Sequence, residues 1–205
     1  MILSRKFPGW LPRAVAIVAT DLKQPMLDFA AAQLGTARVE WRQADALALQ
    51  FEKDFFDAVV CQFGVMFFPE KQAAYREARR VLKLAGRFIF SVWDLLEENE
   101  LSQIVSDAVA ELFPEDPPRF LARTPYEAGF SSTTAETLRQ VSRALSARDA
   151  VIGLCEGSPL RSEIEARDPD RLGATTEAAA SAVAARFGNG VVQAKMQAHV
   201  ITATN

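Results

Sequence analysis

The sequence predicts an α/β fold: an open sheet of largely parallel strands joined by helical crossovers. Three observations predict it. Over residues 15–93, apolar runs of strand length alternate with segments of helical period. The runs are short and continuous, as in strands covered on both faces. Asp21, Asp45, Gln62 and Asp94 fall at or just after the predicted strand ends, which crowds them on the sheet edge where such folds take their ligands.

Each element follows from local pattern. Val15–Thr20 is a continuous apolar run and reads as a buried strand. Pro25 to Leu34 reads as a helix, with Pro25 in its first turn, Gly35 past its end, and Met26, Leu27, Ala30, Ala31 and Leu34 in one stripe. Arg38–Trp41 is a second strand, and Phe56–Gln62 ("FDAVVCQ") has the β-branched and aromatic content of a third. Lys71–Lys83 is a helix with Ala74, Tyr75, Ala78, Val81 and Leu82 at helical spacing; Gly86 turns the chain into a strand over Arg87–Val92.

Beyond residue 94 the pattern changes. Glu97–Phe113 reads as an amphipathic helix ending at "PEDPPRF", and residues 114–133 as an irregular loop. Ala135–Ser142 reads as a strand. Ala147–Cys155 and Ser162–Phe187 read as helical, with breaks near Pro169 and Gly173. Val191–Ala203 alternates as a long terminal strand after the "FGNG" turn. These late strands would complete the sheet or add an antiparallel edge.

Composition bounds the function. The chain has 205 residues, enough for one domain with a real core, and is 49% apolar. Its 23 basic and 26 acidic residues give a net charge of −3 without runs of one sign, which argues against a nucleic-acid partner. Cys61 and Cys155 allow at most one disulfide and match no metal spacing, so a reduced cytoplasmic protein is expected. No apolar run reaches the roughly 18–20 residues of a membrane span, and "MILSRKFPGW" lacks the apolar core of a secretory signal.

The candidate site residues are few. A carboxylate ending a strand, as at Asp21, can accept hydrogen bonds from both hydroxyls of a ribose, or can simply cap the turn before Pro25. Asp45, in "RQADALAL", can hold an adenine amino group while Ala46 and Leu47 cover the ring, or can be a turn aspartate. In "CQFGVMFFPE", apolar and aromatic side chains cluster around Gly64, either as a pocket wall or as a buried corner. His199, the only histidine, reads as structural or partly exposed. No nucleophile–histidine–acid set assembles, so hydrolase chemistry has little support, and no residue is assigned a catalytic role. No metal site is expected. The G-x-G-x-x-G of nicotinamide-dependent enzymes is absent.

In order and character, "VATDLKQPML", "VEWRQADALALQF", "FDAVVCQFGVMFFPEKQAAYREARRVLKLAGRFIFSVWD" and, more loosely, "EAGF" resemble class I S-adenosylmethionine-dependent methyltransferases. The likeness is to the small-molecule type near the ubiquinone/menaquinone-biosynthesis enzymes. It implies S-adenosylmethionine as cofactor, a small-molecule acceptor, and one Rossmann-like domain over 1–205 with helices on both sheet faces. It implies Asp21 on the ribose hydroxyls, Leu22 beside the adenine, Asp45 and Ala46 at the adenine edge, and Gln62 and Phe63 near the methyl donor.

The chain departs from that pattern in three places. "LKLAGRF" has Leu84 and Ala85 where the family has Pro and Gly. About a dozen residues expected before "EAGF" are missing. The first strand and its glycine-rich loop have no counterpart: Gly9 is the sole glycine before Asp21. That strand is central in the family, so its loss implies a sheet truncated at the N-terminal side, with edges that recruit a second copy. An inactive, interacting remnant of the fold is the alternative reading.

Overall fold

The computed structural model describes residues 15–34, 39–122 and 132–205. Its elements are β1 (Ile17–Asp21), α1 (Gln24–Leu34), β2 (Val39–Gln43), β3 (Phe56–Gln62), α2 (Lys71–Val81), β4 (Leu82–Trp93), α3 (Glu100–Leu112), β5 (Ser132–Ala144), α4 (Ala147–Cys155), α5 (Leu160–Arg167), α6 (Leu172–Phe187) and β6 (Val192–Thr204). The α/β class and its alternation are as expected. By contacts the chain divides into two compact units, and the division falls within β4, β5 and β6.

Of the described residues, the first unit holds 15–34, 39–90, 132–134 and 202–205. Its strands β1 and β2 pair in parallel from Ile17↔Val39 to Asp21↔Gln43, as the crossover helix α1 demands. They form a two-stranded sheet of their own; β3 belongs to a separate sheet of order β3-β4-β6-β5. Among the described residues, no strand joins the two sheets. The burial of these strands differs from the expectation. β1 and β3 read as strands covered on both faces, yet β1 is only half-buried and Val60 in β3 is 46% exposed. An apolar run promises burial only if a partner layer exists.

Helix α2 buries the expected stripe of Ala74, Tyr75, Ala78 and Val81. Arg79 and Arg80 in its last turn suit the negative end of the helix dipole. The Tyr75 ring lies 5.9 Å from Phe88 and from Phe90, and this aromatic cluster fixes α2 on β4. The helix stops at Val81, short of Lys83, because β4 begins at once at Leu82. Gly86 is required there, since a Cβ would lie 2.8 Å from the Lys83 carbonyl oxygen. Helix α1 buries only Leu27 of its predicted stripe, and Met26 and Phe29 stay exposed.

Of the described residues, the second unit holds 91–122 and 135–201. Leu101, Val105 and Val109 of α3, Val151 of α4, Leu160 and Ile164 of α5, Val183 of α6 and Val192 of β6 form one core. Ser146 starts α4 with an S-x-x-D box: its Oγ accepts from Asp149 N–H at 3.1 Å and donates to the Asp149 carboxylate at 2.7 Å. A helical turn over Leu96–Glu98 precedes α3, which starts at Glu100, later than expected. The break expected near Pro169 lies at residues 168–171, whereas Gly173, where another was expected, sits inside α6, whose fold is set by packing rather than by one weak residue. Residues 120–122 form a short helical turn where loop was expected; "EAGF" lies outside the described residues.

β6 runs antiparallel to β4, since Asn205 N–H donates to Gly86 C=O and Asp94 N–H to Gln197 C=O, each at 3.1 Å. It also runs antiparallel to β5, as Thr137 meets His199 and Arg139 meets Gln197. No helix among the described residues is long and apolar enough to cross a membrane.

Candidate functional site

The parallel register of β1 and β2 ends on the pair Asp21↔Gln43, which brings the two strand ends together. Ala44 N–H donates to the Asp21 carbonyl oxygen at 3.1 Å, and Gln43 Nε2 donates to the Leu22 carbonyl oxygen at 2.9 Å. Asp21, Leu22 and the start of the Asp45–Ala46 turn therefore share one edge of this sheet. Asp21 Oδ1 accepts from Lys23 N–H at 2.9 Å, an Asx turn that fixes the carboxylate beside its own backbone. Asp45 does the same with Leu47 N–H at 2.9 Å. Both acids thus have the local, turn-capping engagement that the sequence left open. Between them Leu22 presents an apolar side chain 55% exposed.

Glu77 and Arg80 hold the loop that follows Asp45. Arg80 donates to the carbonyls of Leu49 (2.7 Å) and Phe51 (2.8 Å), and Glu77 accepts from Leu49 N–H at 2.8 Å and from Arg80 Nε at 2.8 Å. The Arg80 guanidinium beside Glu77 holds that carboxyl below the usual glutamate range, against a smaller opposing effect of burial. Sequence reasoning missed this clamp. An acid and a base three apart on a helix read as a solvated pair, and its other partners are backbone carbonyls that leave no trace in the sequence.

Gln62 and Phe63 end β3, in the other sheet, so the ladder that joins Asp21 to Asp45 does not extend to them. Phe63 has φ of 50°, a left-handed conformation costly for a bulky residue. It re-aims the chain into the turn Val65–Phe67, where Val65 and Met66 are buried and Phe67 is exposed. "CQFGVMFF" is thus partly buried corner and partly open surface. Gly64 is needed for space, because a Cβ would meet Cys61 Sγ at 2.7 Å. Burial pushes the Cys61 thiol up to about 11, against the N–H groups of Gly64 and Val65, so it is a neutral thiol and not a nucleophile at neutral pH. Cys61 and Cys155 are both free thiols.

Asp94, in the second unit, is engaged with Gln197 and His199. Asp21, Leu22, Asp45 and Ala46 are therefore gathered by β1 and β2, while Gln62 and Phe63 stand on a different strand set.

Residues 5–90 match the family model described as a methyltransferase domain. Demethylmenaquinone methyltransferase of Clavibacter sepedonicus is 40% identical over 74 residues, covering 36% of this chain and 30% of that protein. The ubiquinone/menaquinone biosynthesis C-methyltransferase of Escherichia fergusonii is 33% identical over 91 residues, covering 42% and 36%. The chain thus spans about a third of the length of such relatives. In fold, a Bacillus halodurans protein named as a candidate methyltransferase superposes over 98% of this chain and 87% of its own, with a TM-score of 0.61 and 18% identity. YcgJ of Bacillus subtilis does so over 93% and 82%, with a TM-score of 0.51 and 18% identity.

The fold is that of a Rossmann-like methyltransferase. The sequence match to a methyltransferase domain covers residues 5–90 of the chain.

Proposed function

We propose that the chain, as one methyltransferase-type domain in the cytoplasm, binds S-adenosylmethionine at the shared end of β1 and β2 for methyl transfer to a small-molecule acceptor. The observation that carries this reading is the register Asp21↔Gln43. It sets a carboxylate, an exposed apolar side chain and a second acidic turn side by side. Those are the groups a ribose and an adenine need: a doubly accepting acid, a face to lie on, and an acceptor for an amino group. Asp21 would hold the ribose hydroxyls, Leu22 and Ala46 the faces of the ring, and Asp45 the amino edge. Gln62 and Phe63 are proposed nearer the methyl donor, on the family likeness alone.

When bound, the cofactor supplies a methyl group already activated on a sulfonium. The protein's task is then to align an acceptor and exclude water, not to generate a strong base. Glu77 and Arg80 serve that task by fixing the loop after Asp45. Calorimetric titration with S-adenosylhomocysteine tests the proposal. Saturable heat that Asp21→Ala abolishes is the expected result; no heat at high micromolar ligand would overturn it.

One observation favours a second reading, an inactive interacting remnant: the β1–β2 pair and β3 lie in separate sheets. Separate sheets leave strand edges that a second copy can pair. Light scattering separates the readings. A monomer that binds S-adenosylhomocysteine removes the second, and a dimer that does not bind removes the first.

A further inference from the structure

β5 is the last strand in the order β3-β4-β6-β5, so among the described residues one of its edges has no strand beside it. It is 13 residues long, more than twice the usual strand of about 5–6. Every residue from Thr133 to Val141 is exposed, so neither face of this stretch is covered. Its apolar residues Leu138 and Val141 are 39% and 52% exposed. Native edges are commonly blunted by Pro, by Lys or by shortness. β5, "STTAETLRQVSRA", is long and has no Pro, Gly or Lys, and its β-branched Thr133, Thr134, Thr137 and Val141 favour the extended chain.

The strand is held in place from its paired side. Thr137 Oγ1 lies 3.1 Å from His199 Nδ1, whose Nε2 lies 2.9 Å from Asp94 Oδ2, and Arg139 Nε donates to Gln197 Oε1 at 2.9 Å. The outer backbone groups are thus preorganised for a further ladder, which lowers the entropy cost of pairing. Symmetry decides which partner strand fits. In an antiparallel ladder hydrogen-bonded and non-hydrogen-bonded pairs alternate. A two-fold axis between two pairs would make neighbouring pairs identical, so the axis must pass where a residue meets its own copy. Centred on Leu138, the midpoint of Ser132–Ala144, all 13 residues pair. Leu138 then meets Leu138 on the axis, Glu136 faces Gln140 and Thr137 faces Arg139, with no like charges directly opposed. Centring on Glu136 or Arg139 opposes a charge to itself, and centring on Val141 opposes Arg139 to Arg143. The charges therefore select a register rather than forbid pairing.

We propose that β5 is a dimerisation edge, on which a second copy of this chain pairs its own β5 antiparallel about Leu138 and joins two four-stranded sheets into one. The occupant is a second copy because the full-length register is self-complementary. The inference goes beyond both functional readings. It uses neither the cofactor residues nor the edges of β1, β2 and β3.

Sedimentation velocity of the full chain tests it, without S-adenosylhomocysteine, so that the outcome is separate from that of the cofactor titration. The expected result is a dimer at about 100 μM chain that dissociates on dilution. Leu138→Lys sets two ammonium groups on the axis and should weaken the dimer about tenfold or more, with the far-UV circular dichroism unchanged. Leu138→Cys opposes two thiols on the axis and should cross-link the dimer under mild oxidation. Gln140→Cys sets the new thiols about 13 Å apart along the strands and should not cross-link. A monomer at that concentration overturns the proposal, as does a dimer undiminished by Leu138→Lys, which would sit on another edge. Cross-linking of Gln140→Cys in place of Leu138→Cys overturns the register. Should Leu138→Lys fail to fold, the wild-type chain and the two cysteine variants still decide the matter.

Discussion

Each unit buries a core, but the two differ in what surrounds it. In the second, Val105, Val151, Ile164, Val183 and Val192 are wholly buried in one core of helices and β6, and its most exposed large apolar residues, Leu145 and Val191, lie at element ends. In the first, Val65, Val81 and Leu82 are as deeply buried, but Phe29 of α1 and Val60 of β3 lie substantially exposed within their elements, as do Leu22, Phe55 and Leu84, although this unit carries the sequence match to methyltransferases. Recognisability and packing are therefore separate properties. The first unit is legible because its segments follow the order of the methyltransferase domain that residues 5–90 match. The second is tight because α3 to α6 offer one another continuous apolar stripes.

The contrast is broken most directly by truncation. Ile164→Ala should cost about 2–5 kcal/mol, the usual range for emptying a closed core site, whereas Val60→Ala, already half in water, should cost under about 1 kcal/mol. Urea midpoints of the two variants check this. Equal losses would show that Val60 is covered in solution, and the difference between the units would vanish. The first unit has one closed patch of its own, around Tyr75, whose hydroxyl burial pushes upward in pKa.

Electrostatics gives the next effect. Arg80→Gln removes the charge beside Glu77 and weakens the bonds to Leu49 and Phe51, so the thermal midpoint should fall. It also changes the acid limb. The Glu77 pKa is lowered in the folded state, so the native protein holds fewer protons than the unfolded chain. That stability is present above the unfolded value, about 4.3, and is lost as pH falls through the lower native value. Asp94 in the second unit acts with the same sign: burial opposes its charge, but Gln197, Leu95 N–H and His199 together hold its pKa below the usual aspartate range. Acid melts of Arg80→Gln should thus show a shallower loss below pH 4–5, with the Asp94 share intact. An unchanged slope would show that the clamp is open in solution.

A smaller effect tests whether the second unit's core is flawless. Thr175 and Thr176 are buried in α6, and their hydroxyls have no hydrogen-bond partner among the described residues. Thr175→Val keeps the shape and removes the stranded oxygen, so stability should hold or rise by about 1 kcal/mol in thermal melts. A marked loss would show that the hydroxyl is satisfied by water.

How much of this was legible varied with the kind of signal. The α2 stripe could be read because period and burial coincide. The approach of Asp21 to Asp45 could be read because a parallel pair joined by a helix aligns its strand ends. The exposure of β1 and β3 could not, since an apolar run says nothing of whether a neighbour covers it. Nor could the Glu77–Arg80 clamp or the His199 chain, whose partners lie 28 to 105 residues away and follow only from the register. The break at Pro169 could be read, but none forms at Gly173, because a glycine costs a helix only about 1 kcal/mol, less than the packing of Ala179, Ala180 and Val183 returns.

The smallest effect sharpens the comparison at the level of the backbone. In the second unit the described left-handed residue is a glycine, Gly188 at φ 79°, ending α6. In the first unit Asp54, Phe63 and Ala85 take φ of 55°, 50° and 62° without that freedom. Ala85 stands where the resembled family has glycine, and its side chain is exposed, so nothing in packing compensates for the strain. Ala85→Gly relieves about 1–2 kcal/mol of left-handed strain and returns about 0.5–1 kcal/mol to the unfolded chain as entropy. The expected net is a gain of about 0.5–1 kcal/mol, while Gly188→Ala should move stability the opposite way by a similar amount. If Ala85→Gly lowers the thermal midpoint instead, the backbone near the start of β4 does not hold this conformation in solution, and the backbone contrast between the units fails with it.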